Sequence, residues 1–272
     1  MALLYVKNVM IYFINYMAIP TSISFDSFSL QSSTYIVRTI THRQVADRIL
    51  NTKPNLRRGS FDIVDTRFTQ KIITVNGWIK SDNATNLRTV IDNMKENIHG
   101  KEKNLDIDYG DGTIRYKATF QSIDIQEEAW YISQVPFTIE FLCEPWGTTP
   151  TTSSQSYLNK TTATYSDTIN VTGSFGPFPT LTIDIDSETD MTVIKFQNNT
   201  TEDWVQIDRS FSAGESLVID CSNETIQVDG TNVDFTGVFP EFNPNSNSFT
   251  MTITDSGAFQ YDLKIAYNPH YL

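Results

Sequence analysis

Thr180-Leu181-Thr182-Ile183-Asp184-Ile185 alternates polar and apolar side chains without a break, and the same pattern returns along the second half of the chain. It reappears in Thr192-Val193-Ile194-Lys195-Phe196, Trp204-Val205-Gln206-Ile207, Ser216-Leu217-Val218-Ile219-Asp220 and Thr225-Ile226-Gln227-Val228. Asp229-Gly230 turns the chain into Thr231 to Phe235, and two more such runs follow, Phe249 to Ile253 and Tyr261 to Tyr267. A period of two puts every second side chain on one face, the mark of a strand with one face buried. Short strands at regular spacing between Gly, Asn and Pro turns predict a β-sandwich or jelly roll over residues 165–272.

Working backward, Thr148 to Thr164 is Thr/Ser-rich, contains Pro150 and has no apolar period. It reads as a linker over 148–164. Before it, residues 1–147 form a second β-rich unit with one helix. Strand signals occur in Ile23 to Ile40, Ser60 to Asp65, Lys71 to Ile79, Asn104 to Tyr109, Thr113 to Phe120, Ser122 to Gln126 and Tyr131 to Cys143. Gly110-Asp111-Gly112 marks a hairpin, since glycine reaches the positive φ of tight turns. The helix lies between Ser81 or Asp82, as N-cap, and Gly100, with Leu87, Val90, Ile91, Met94 and Ile98 on one stripe.

Thr41 to Gly59 loses the pattern and gathers Arg43, Arg48, Lys53, Arg57 and Arg58 against Asp47 alone, with Pro54 among them. It reads as a long exposed loop, either simply solvated or a docking arm. Leu3 to Ile19 is apolar but interrupted by Lys7, Asn8 and Asn15. That argues for an extended arm or first strand rather than a signal peptide, with residues 1–16 as an extra arm if translation can also begin at Met17. No apolar run approaches the roughly 20 residues of a membrane span.

Charge supports the division. Of 20 Lys+Arg and 32 Asp+Glu, residues 151–272 hold 4 and 16, so the first part is neutral and the second carries the whole net charge of -12. So acidic a half is a poor partner for nucleic acid. The chemistry of catalysis is hard to find. His42, His99 and His270 are isolated, and no ligand spacing suggests a metal. Asp106 to Gly112 is close to a calcium loop, but Asp111 stands where glycine is required and Lys117 where the last carboxylate belongs. Asp184, Asp186, Glu188 and Asp190 alternate along one strand face. They are either a hydrolase's carboxylates or, as the composition favours, a soluble outer face. Neither a nucleophile elbow nor a phosphate loop appears, and no cofactor is expected.

The order of these elements resembles the siphophage distal tail protein family. The resemblance runs from Ile23 to Leu272 and rests on Arg57-Arg58-Gly59-Ser60, Val75-Asn76-Gly77-Trp78-Ile79, the helix, Tyr116-Lys117-Ala118 and Phe141-Leu142-Cys143-Glu144-Pro145-Trp146. In the second half it rests on Gly214 to Asp220, Val228-Asp229-Gly230-Thr231-Asn232 and Phe239 to Asn247. Where the family often has Leu-x-Pro-Gly-Asn, this chain has Phe242-Asn243-Pro244-Asn245-Ser246-Asn247, a departure that keeps the turn chemistry. The resemblance implies a mainly β protein with an N-terminal sandwich or barrel-like ring domain and a galectin-like C-terminal sandwich. It also implies a hexameric ring in the virion, made in the host cytoplasm, that joins the tail tube to tail-tip proteins. The basic residues Arg43, Arg48, Lys53, Arg57 and Arg58 are then candidates for an assembly interface. The alternative is a module that binds host-wall glycans or displays a receptor-binding protein. For that role Trp204, beside Glu202 and Asp203, is the candidate sugar platform, against its reading as a core aromatic.

Cys143 and Cys221 are the two cysteines and fall in different proposed domains. Neither a disulfide nor a structural metal is expected. A thermal melt should therefore be unchanged by reductant or chelator, and a fall in melting temperature with either would reveal a missed cross-link or ion.

Overall fold

A computed structural model describes residues 19–41, 47–55, 60–126 and 133–272. The N-terminal 18 residues, including the expected arm, lie outside the described residues. The chain divides into two compact units, Met1–Gly147 and Thr148–Tyr271.

In the first unit, β1 (Ser22–Phe25) and β2 (Phe28–Ser29) form a hairpin whose two turn residues, Asp26 and Ser27, both have positive φ. That is the primed turn whose twist suits adjoining strands. Then follow β3 (Tyr35–Ile40), β4 (Arg48–Asn55), β5 (Ser60–Phe68), β6 (Lys71–Lys80), helix α1 (Ala84–Asn97), β7 (Lys103–Asp108), β8 (Thr113–Ile125) and β9 (Gln134–Cys143). Seven of these strands run through one sheet in the order β2-β1-β7-β8-β9-β6-β3, and the short β10 (Gly147–Thr148) pairs with β8.

The sheet rolls without closing. β1 and β9 are three strands apart, about 14 Å in a flat sheet, yet the rings of Phe25 and Phe141 stand 4.8 Å apart. Phe28 on β2 and Tyr35 on β3 come within 5.3 Å although no ladder joins these end strands. The barrel-like expectation is corrected accordingly: a curled open sheet wraps its own apolar face. Leu87, Ile91 and Met94 of α1 fill the concavity, which β6 and β9 line with alternate residues. The helix is tied to β3 where the Tyr35 hydroxyl donates to the Val90 carbonyl and accepts from Asn93 Nδ2. Its N-cap is Asn83, whose side chain accepts from the Asn86 N–H, and not Ser81 or Asp82. All three residues are competent caps, so composition alone could not choose among them.

Two further expectations change. β8 is one strand where two runs were read, because a register shift between Phe120 and Ser122 resets the alternation without ending the pairing. The basic segment is not wholly loop: β4 pairs with β5 as a separate two-stranded ribbon. A register shift between Asn51 and Thr52 breaks the period there, and Pro54 pairs opposite Phe61 in a ribbon that, among the described residues, has no third strand to demand its missing N–H.

The second unit is a sandwich of two antiparallel sheets. One contains β11 (Ser153–Lys160), β21 (Gln260–Tyr267), β13 (Thr180–Ser187), β16 (Ser216–Asp220), β17 (Thr225–Val228) and β18 (Thr231–Asn232), in that order. The other contains β12 (Thr164–Val171), β20 (Asn245–Thr254), β14 (Val193–Asn198), β15 (Trp204–Asp208) and β19 (Thr236–Gly237). The stretch 148–164 is therefore only partly a linker. Within it β11 forms eight residues of sheet edge, and its surface position keeps most of its side chains polar.

Tyr157 from one sheet meets Phe249 from the other edge-on at 5.3 Å, and Phe249 stacks on Phe196 at 5.5 Å. At the departure from the family's turn, Asn245 takes φ 76, the left-handed conformation asparagine tolerates in place of glycine. Asn247, fully buried, pins that turn. Its Oδ1 accepts from the Asn243 N–H and its Nδ2 donates to the Asn243 and Asn245 carbonyls.

Gly77 is the tightest point of the first sheet. A Cβ there would meet the Ile36 carbonyl on one side and Phe137 ring atoms at 2.7 and 2.8 Å on the other. Gly77→Ala is expected to destabilise the protein by about 1–3 kcal/mol through overpacking, read as a lower denaturant midpoint. An unchanged midpoint would mean that the Phe137 ring yields freely.

Candidate functional site

The sequence candidates separate into two places. Arg48 and Lys53 lie on β4 of the ribbon, while Arg43, Arg57 and Arg58 lie outside the described residues. The ribbon joins no other sheet, so its outer backbone rows have no ladder partner among the described residues.

Trp204 opens β15. Val205 and Ile207 point into the core, so Trp204 and Gln206 lie on the sheet's outer face, and Trp204 is half-buried rather than a core residue. The ammonium of Lys195, on neighbouring β14, lies 4.7 Å from the indole centre, within cation–π range. Below the ring the chain passes through Gly237, where a Cβ would strike the Trp204 carbonyl and stand 2.9 Å from indole Cε3. The Val238 N–H donates to that same carbonyl at 2.7 Å.

Residues 234–238 are all exposed, and the rings of Phe235 and Phe239 meet edge-on at 4.8 Å. The hairpin turn from β14 to β15 holds the following segment in place: Asn198, fully buried, donates from Nδ2 to the Glu241 carbonyl at 2.7 Å. Burial, and then the neighbouring Asp203, pushes the Glu241 carboxyl above the usual carboxylate range. Trp204, Phe235, Val238, Phe239, Asp203 and Glu241 thus gather around the β19 edge of the sheet. The sequence flagged its tryptophan. The rest was hidden because Phe235, Val238 and Glu241 are brought together by an irregular segment without period.

The acidic series is not drawn together into a cleft. Asp184 accepts from the Ser216 hydroxyl, Asp186 from Gln260 Nε2 and Glu188 from the Met191 N–H. Asp255, outside the series, caps the loop. Burial would raise its pKa, but the N–H groups of Gly257, Thr189 and Asp190 outweigh that and lower it. Among the described residues no His, Cys, Asp and Glu side chains cluster as metal ligands. His99 is exposed past the helix end. His270 is buried, its Nδ1 3.2 Å from the Gly176 carbonyl, and burial lowers its pKa. Cys143 and Cys221 are buried free thiols, each pushed up to about 12 by burial, which leaves them protonated and unreactive.

Comparison with known proteins bears on both units. Residues 172–271 match the family model described as a siphovirus-type tail component, C-terminal domain. The crystal structure of the Dit protein of phage SPP1, described as a paradigm of the hub adsorption apparatus in phages infecting Gram-positive bacteria, superposes with a TM-score of 0.67. It is 14% identical, and the match covers 92% of this chain and 99% of that one. The baseplate of phage p2 in its activated conformation with calcium gives a TM-score of 0.41 at 8% identity, over 90% of this chain and 96% of that one. No curated protein matches by sequence. The second unit thus resembles a siphovirus-type tail-component domain over residues 172–271. Nearly the whole chain has the fold of the SPP1 Dit protein.

The raised Glu241 carboxyl has a consequence for stability. A carboxyl whose folded pKa is raised contributes stability that is fully present below its unfolded pKa and is lost as pH rises through the folded value. Glu241→Gln should therefore melt at a higher temperature than the parent at pH 7, with the gain shrinking as pH falls toward 4. A variant that melts lower at pH 7 would mean the carboxylate is compensated.

Proposed function

We propose that this chain is a component of a phage tail, namely a distal tail protein, six copies of which form a ring joining the tail tube to the tail tip or baseplate. The observation that carries the reading is the agreement in fold with the SPP1 Dit protein along nearly the whole of both chains, combined with the tail-component match of the second unit. The physical chemistry of the two units supports it. A closed ring needs two different patches on each subunit that meet around the axis. The first unit offers an electrically neutral body, open end strands β2 and β3, and a ribbon that carries Arg48 and Lys53 and has no further ladder partner among the described residues. Copies of such a unit approach without net repulsion. The sandwich, with 16 acidic residues against 4 basic ones in 151–272, repels its own copies and suits the periphery of the ring.

A second reading keeps one specific observation in its favour. Trp204 is half-exposed on an outer sheet face beside Gln206, an arrangement compatible with a host-wall glycan. Glycan binding by the full chain that disappears in Trp204→Ala would favour that reading; equal binding by the variant would remove it.

The ring reading is tested by mass. Light scattering on the purified chain should give six times the chain mass, and residues 1–147 alone should still form rings visible by negative stain. A monomeric full-length chain overturns the ring. A monomeric fragment beside a hexameric parent assigns the interface to the sandwich instead.

A further inference from the structure

The surface around β19 gathers two exposed apolar side chains at one sheet edge, where the edge strand β11 of the other sheet exposes only Leu158. β19 pairs with β15 on one side only and is the last strand of its sheet. The strand at the opposite end of the same sheet, β12, presents Thr164, Ser166, Thr168 and Asn170 to solvent, as a protected edge should. Beside β19 the exposed side chains are apolar instead. Val238 is 63% exposed and Phe235 38%, next to the partly buried Phe239 and the edge of Trp204. Contiguous exposed apolar surface on a soluble domain marks a binding surface.

The charge around it is one-sided. Glu202, Asp203, Asp234 and Glu241 border the patch, and none forms an ion pair among the described residues. The nearest cation, Lys195, is engaged over the indole of Trp204. Asp203 stands close enough to Glu241 to disfavour the charge of the Glu241 carboxylate, in addition to its burial. Such a pair is relieved by a cation brought from outside.

We propose that this surface docks an extended, basic segment of another protein of the virion, one that alternates Lys or Arg with apolar side chains. A strand of that pattern uses both of its faces here. Its backbone adds to the free side of β19, its apolar side chains cover Val238 and Phe235, and its cations reach Asp203 and Glu241. Strand addition supplies the affinity through main-chain hydrogen bonds, and the flanking side chains supply the choice of partner. Opposite charge on the rim speeds and orients the encounter. The site is independent of the ring interface proposed above.

The test uses the full-length chain and a fluorescent peptide of about eight residues alternating Lys and Val, with a Glu/Val peptide as control, at low ionic strength. The expected result is saturable binding of the Lys peptide alone, weakening as salt rises. Phe235→Ser with Val238→Ser should weaken it by about tenfold or more and Glu241→Gln by a smaller factor, while Asp184→Asn with Asp186→Asn on the other sheet leaves it within about twofold. All the exposed positions can be changed without disturbing the core, so loss of binding will not be loss of fold. Undiminished binding by the Phe235/Val238 variant, or equal loss in the Asp184/Asp186 variant, reduces the effect to general charge attraction and overturns the proposal. So does the absence of saturable binding. If the Phe235/Val238 substitutions instead dissociate an oligomer of the chain, the occupant is a second copy and the heterologous partner is wrong.

Discussion

Every strand carries two rows of backbone donors and acceptors, and the outermost strand of each open sheet leaves one row without a ladder partner. A chain built almost wholly of strands inherits that constraint at each edge. It is answered differently at each place. β18 is only two residues long. β11 is bulged between Tyr157 and Lys160, with Asn159 at positive φ. β12 is sheathed in hydroxyl and amide side chains. Among the described residues the outer rows of the β4–β5 ribbon and of end strand β3 have no ladder partner. Under the ring reading, such open edges are natural places for subunits to meet.

The same constraint explains what could be read without coordinates. Where a strand has one face on a core, period two is enforced, and β13, β16, β17, β20 and β21 were legible to within a few residues. Where a strand lacks a core face or shifts register, the signal fails. β4 was read as loop because its alternation resets at Asn51/Thr52, and β11 as linker because its polar side chains mimic one. The rolled but unclosed form of the first sheet was out of reach for a further reason. Closure depends on whether β2 and β3 pair, and both short end strands have sequences compatible with either outcome.

The candidate surface shows the same division. Trp204 was legible because an aromatic beside two acids in a strand is conspicuous. Phe235 was read as the end of a strand and Val238 drew no reading, yet both stand exposed because the second sheet takes only Thr236 and Gly237 from that stretch. The fold also shows why Gly237 is where it is. Any side chain at that position would collide with the Trp204 backbone and push β19 off β15. Gly237 thus fixes the edge strand, the tryptophan and the exposed valine relative to one another.

Charge separation along the chain ties these observations into one argument. If the acidity of the second half served solubility alone, its carboxylates would be fully hydrated and spread evenly. Most are engaged in surface hydrogen bonds, as Asp184 is with Ser216 and Asp220 with the turn that follows it. Glu241 stands apart from these, half-buried beside Asp203 and raised in pKa, in a position where the fold holds a negative charge next to exposed aromatics. A single change to glutamine would remove such a strain. That the strain stands beside the sheet edge that gathers Phe235 and Val238 favours reading the carboxylates and the aromatics as parts of the proposed recognition surface.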